Sequence, residues 1–116
     1  MRLALELDGP APPGGELRGR VVVAEGGTCR LLEVAIRLCE RSRDYAEETV
    51  FAHAILTREG ERRDGESFPF ALPVPVQAGP PVNTKWGGLN WEVRARADMA
   101  LKRDPEVRQG LPLTEV

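Results

Sequence analysis

Aromatic side chains are scarce in this sequence: three Phe, two Trp and one Tyr among 116 residues. Once a core has been packed, so few rings leave little for an exposed aromatic platform. Serine occurs only at Ser42 and Ser67, and histidine only at His53. Neither serine lies in a Gly-x-Ser-x-Gly elbow, so nothing presents a hydroxyl nucleophile. Cysteine is limited to Cys29 and Cys39. With no Cys-x-x-Cys or His-x-x-x-His spacing, the N and S ligands of a structural zinc site are missing. Cys29 and Cys39 as strand neighbours would be within reach of each other, but a structural disulfide does not suit the expected reducing compartment. No metal and no cofactor is expected.

Lysine is confined to Lys85 and Lys102, and the arginines are interspersed with carboxylates to a net charge of −2. That balance provides no steering toward nucleic acid or an acidic membrane. No stretch approaches the ~20 apolar residues of a membrane-crossing helix. Met1 to Asp8 lacks the apolar core of a signal peptide, so the expected compartment is the cytoplasm, with both thiols reduced. Glu47 and Glu48 are adjacent, so on a strand they point to opposite faces and cannot act as a carboxylate pair. Gly14-Gly15 and Gly87-Gly88 precede neither a Lys-Ser/Thr pair nor a helix, so they are not phosphate loops. These absences together predict a chain that is not an enzyme.

What is present is alternation. Leu3, Leu5 and Leu7 share one face of an extended segment. Leu17, Gly19, Val21 and Val23 do the same between Glu16 and Ala24. Arg30 to Glu40 fits a strand through Leu32, Val34, Ile36 and Leu38, and a helical stripe through Leu31, Ala35, Leu38 and Cys39. Its β-branched residues and β surroundings favour the strand. Glu48 to Thr57 is a further β candidate, and Ser67 to Leu72 places Phe68, Phe70 and Leu72 on one face. Pro69 cannot donate to a ladder, so that strand belongs at an edge or a bulge. Pro73 to Gly88 has no period and reads as a long crossing loop. The cleanest strand follows, with Trp91, Val93, Ala95, Ala97, Met99 and Leu101 alternating against polar residues. Asp104-Pro105 breaks it, and Leu111, Leu113 and Val116 are assigned to a last strand. About seven strands with turns every 8–12 residues predict an all-β, immunoglobulin-like antiparallel sandwich forming a single domain over 1–116.

Several motifs agree with one family. Pro13-Gly14-Gly15-Glu16-Leu17-Arg18-Gly19-Arg20-Val21 resembles the arrestin pattern of Pro-Gly-Glu, a hydrophobic residue, then Gly and Val. Phe68-Pro69-Phe70-Ala71-Leu72-Pro73 is similar to its Phe-x-Phe-x-Leu-Pro strand end. Asn90 to Asp98 resembles its aromatic-x-Val-x-Ala strand, and Asp104, Leu111 and Leu113 fall where the family has an Asp and its final strand. The chain thus resembles one half of an arrestin, and bacterial sporulation-control proteins of that fold. It departs at Pro80-Pro81-Val82-Asn83, where the family often has a Pro-Ser pair. The resemblance implies a non-catalytic adaptor or scaffold-like role with a protein partner. Sites between two arrestin domains cannot be carried over to a chain with room for one.

The candidate partner-binding residues are Lys85, Trp86, Arg94 and Arg96. Trp91 begins the cleanest alternating face and is expected between the sheets. Trp86 lies in Lys85-Trp86-Gly87-Gly88, where an apolar anchor beside a cation suits a contact; the alternative is a ring folded over the end of the sandwich. Arg94 and Arg96 share an outward face with Glu92 and Asp98, which favours cross-strand ion pairs, or else an arginine surface for phosphate or carboxylate. The first and last strands are expected to be the better open edges, making a homodimer possible. Two alternatives remain: a carbohydrate or small-ligand sandwich using Trp86, and a small hydrolase or redox protein using Cys39.

Overall fold

The alternating segments become strands of two sheets in a computed structural model that describes residues 1–114. The first sheet has three strands in the order β1-β2-β5: β1 is Arg2–Leu7, β2 is Glu16–Glu25 and β5 is Ser67–Pro73. The second contains β3 (Gly27–Ser42), β4 (Ala46–Arg62), β6 (Val82–Thr84), β7 (Gly87–Asp98) and β8 (Glu106–Gly110). Its order is β4-β3-β7-β6, and β8 also pairs with β7. All strand pairs are antiparallel, and there is no helix among the described residues.

The core lies where the two apolar faces meet. Leu17, Val21, Val23 and Leu72 supply it from the first sheet, and Leu32, Val34, Ile36, Val93, Ala95 and Ala97 from the second. Register explains the second set: Val34 is opposite Ala95 and Ile36 is opposite Val93, so the alternations of two strands far apart in sequence coincide. Trp91 is buried at 8% exposure, with the Phe51 ring 4.8 Å away at a tilt of 58°. A bulge in β4 makes that contact possible. Ile36 faces Ala52 and Arg37 faces Val50, so Phe51 is the extra residue between them.

Several expectations need correcting. Arg30 to Glu40 lies wholly within β3, so the strand reading holds and the helical stripe does not. Pro73 to Gly88 is not loop throughout, since β6 adds an eighth strand and β7 already begins at Gly87. The alternation of β7 stops at Asp98, before Met99 and Leu101; Leu101 takes a positive φ of 62° in the turn that follows. The last strand is Glu106–Gly110, upstream of Leu111 and Leu113. Leu113 instead makes an isolated bridge to Ala11, and Val116 lies outside the described residues. Pro69 does sit on an edge strand, β5, and β1 is the other edge of that sheet. The longest open edge differs from the first and last strands expected: among the described residues β4, 17 residues long, pairs only with β3.

Candidate functional site

Lys85 and Trp86 are the whole two-residue loop of the hairpin joining β6 to β7, because Thr84 pairs with Gly87. Thr84 holds the turn from within. Its Oγ1 accepts the Trp86 N–H at 3.2 Å and donates to the Gly87 carbonyl oxygen at 3.2 Å. Lys85 Nζ stands 4.9 Å from the centre of the Trp86 ring, within cation–π range. Trp86 is 65% exposed, so it does not fold back over the sandwich.

The hairpin rests on β3 through its glycines. Ser42 is opposite Gly87 and Arg41 is opposite Gly88. A β-carbon at Gly87 would overlap the carbonyl oxygen of Arg41, so the approach requires glycine. Across the strands Gly88 stands between Arg41 on β3 and Asn83 on β6. A β-carbon there would crowd the Asn83 side-chain oxygen, and Gly88 lines an open depression of about 630 Å3. Arg41, Arg43 and Lys85 line this depression with Ser42, Asn83, Asn90 and Trp86.

The other face of the same strands carries apolar side chains. Leu89 lies between Glu40 and Val82 in register. Tyr45, Val82, Trp86 and Leu89 border a second depression there, of about 350 Å3, with Glu40 at its side. These four are among nine exposed large hydrophobic residues of the described chain, so nearly half of that class gathers at one end of the molecule. Scattered apolar residues are ordinary on a protein surface, whereas a gathered group is a candidate contact.

Arg94 and Arg96 lie elsewhere, on the outer face of the larger sheet. Glu33 Oε1 stands 3.3 Å from Arg94 Nη2 and 3.4 Å from Arg96 Nη2, and Asp104 is 3.3 Å from Arg96 Nη1. His53 Nε2 is 3.5 Å from Glu33 Oε2. Arg37 ties Glu92 to Glu48, the latter at 2.6 Å, with Arg37 and Glu92 both buried. These are ion pairs to the neighbouring strands β3 and β4 and to the segment after β7. The structure therefore does not bring Arg94 and Arg96 together with Lys85 and Trp86.

Cys29 and Cys39 are free and occupy one strand, β3, ten residues apart, about 33 Å along an extended chain. No intramolecular bridge can span that distance. Burial raises the pKa of both thiols. Cys39 is pushed up to about 11, first by burial and then by the charge of Glu92. A thiol held protonated in this way is a poor nucleophile.

The sequence reading had pointed to Lys85 and Trp86 but not to Arg41, Arg43, Tyr45, Val82 or Leu89. Arg41-Ser42-Arg43-Asp44 read as a polar connection, and a basic turn carries the same signal whether it is solvated or used. No family model and no curated protein matches the sequence. Among solved structures, the chain is similar to the sporulation control protein Spo0M of Bacillus subtilis, with a TM-score of 0.74 at 18% identity. The match covers 99% of this chain and 49% of that one, so the chain spans about half the length of its structural neighbour. The fold is thus an arrestin-like all-β sandwich.

Proposed function

We propose that this chain is a non-catalytic, regulatory interaction domain of the cytoplasm that holds a protein partner at the end of the sandwich carrying Lys85 and Trp86. The observation that carries the reading is the gathering of Tyr45, Val82, Trp86 and Leu89 around one depression beside three cations. An arrestin-like fold supports a regulatory role of this kind. The raised thiols of Cys29 and Cys39 weigh against the redox and hydrolase alternative. The same exposed tryptophan would also suit a carbohydrate module. That version predicts sugar binding that is abolished by Trp86→Ala, and it fails if binding survives the substitution. A homodimer belongs to the reading through the open edge of β4. A monomer at high micromolar concentration in sedimentation equilibrium overturns that part.

The test is site-specific photo-crosslinking in the host cell, with a photoreactive residue at position 86 and, as a control, at Val76, which is 80% exposed. A discrete adduct from position 86 that is absent from position 76 is expected. Adducts equal at both positions, or at neither, overturn the assignment.

A further inference from the structure

We infer that the partner presents to this end of the sandwich an extended, carboxylate-rich segment carrying an apolar residue. The inference rests on the interaction surface proposed above and adds the chemistry of its occupant.

Of sixteen Lys and Arg residues, nine have a carboxylate within 4.0 Å among the described residues. Seven do not: Arg41, Arg43, Arg58, Arg63, Lys85, Lys102 and Arg103. Three of these seven, Arg41, Arg43 and Lys85, line one depression with Gly88. Among the described residues, no Asp or Glu lines it. In a chain of net charge −2, whose other arginines are mostly matched by acids, this is a local excess of positive charge. The remaining lining groups, Ser42, Asn83 and Asn90, can donate hydrogen bonds to an anionic oxygen. Arginine forks suit carboxylates, which they can bind through two parallel hydrogen bonds.

Trp86 stands at the turn and, with Arg41, Thr84, Gly87 and Gly88, borders both depressions, which therefore meet around the hairpin. Strand alternation directs Arg41 and Asn83, beside Gly88, to one face and Val82, beside Leu89, to the other. A chain draped over the hairpin tip would lay carboxylates against Arg41, Arg43 and Lys85, and an apolar side chain among Tyr45, Val82 and Leu89. An extended segment crossing the tip reaches both faces. The outer edge of β6 is also unpaired, leaving backbone groups of Val82 to Thr84 available for an added strand. An anionic membrane is disfavoured, because about 1 kcal/mol per basic residue gives weak attachment on three of them.

The probe is a fluorescein-labelled peptide of about twelve residues, rich in Asp and Glu with one central Leu, titrated with the full chain and read by anisotropy. Saturable binding is expected, at least about tenfold weaker for R41Q/R43Q/K85Q and weaker at higher salt. The same peptide with every acid replaced by its amide is expected not to bind. W86A is expected to weaken binding separately. All four substituted positions are exposed, so unfolding midpoints should remain unchanged. Three results overturn the inference: no binding at millimolar peptide, equal binding of the amide peptide, or binding to phosphatidylserine vesicles but not to the peptide. A crosslinked protein from position 86 together with a silent acidic peptide would remove this inference and leave the interaction surface standing.

Discussion

Gly87 lies so close to the carbonyl oxygen of Arg41 that a single β-carbon would overlap it. This contact seats the β6–β7 hairpin on β3 and sets the position of Lys85 and Trp86. Gly87→Ala should therefore lift the hairpin, at a cost of about 1–3 kcal/mol in urea unfolding. Amide exchange should accelerate in residues 82–89 more than at the centre of β3. Unchanged exchange in the hairpin would show that the glycine is not what seats it.

Arg37 and Glu92 face each other across β3 and β7, and both are buried. Removing one partner leaves a buried charge behind. Arg37→Met is expected to cost about 3–5 kcal/mol, since Glu92 is then left buried without its guanidinium partner. Glu92→Leu should cost less, because Arg37 retains Glu48 at 2.6 Å. The double variant should recover most of the loss, giving a large coupling in a double-mutant cycle. Additive losses would contradict the pairing.

Cys39 has its pKa raised from 9.0 to about 11 by burial and by Glu92. The folded state thus binds the thiol proton more tightly than the unfolded chain does. The associated stability is fully present below about pH 9 and is lost as pH rises toward about 11. Cys39→Ser should flatten the alkaline limb of a stability–pH profile over that window. Alkylation of the native protein at neutral pH should be slow, since roughly one thiol in a thousand or fewer is ionised there. Rapid alkylation of Cys39 at pH 7 would revive the redox reading.

The two tryptophans should respond in opposite ways. Trp91 is 8% exposed and packs against Phe51, so Trp91→Ala is expected to cost about 3–5 kcal/mol. Trp86 is 65% exposed, so Trp86→Ala should change stability by no more than about 0.5 kcal/mol while weakening partner binding. A large loss of stability from Trp86→Ala would make it a packing residue after all.

Much of the fold is legible in local patterns. Val34, Ile36, Val93 and Ala95 each sit in an alternating run, and alternation states which side chains share a face before any partner strand is known. Pro69 announces an edge because it lacks a donor, and its strand is one. β6 is not legible because Val82–Thr84 is too short to show a period and all three residues are exposed. The open edge of β4 is not legible because strand order is not written along the chain.

The sequence by itself determined the all-β class, the inward position of Trp91 and the suspicion attached to Trp86. Each follows from residue type and a period of two. Only the tertiary structure decided that β3 lies beside β7 and β7 beside β6. That order brings Arg41 and Arg43, at the end of one strand, to Lys85 and Trp86, some forty positions away, and carries Arg94 and Arg96 off to Glu33. The physical reason is that a local pattern fixes what a strand buries, while its neighbours are chosen by how the whole set of apolar faces can be buried at once.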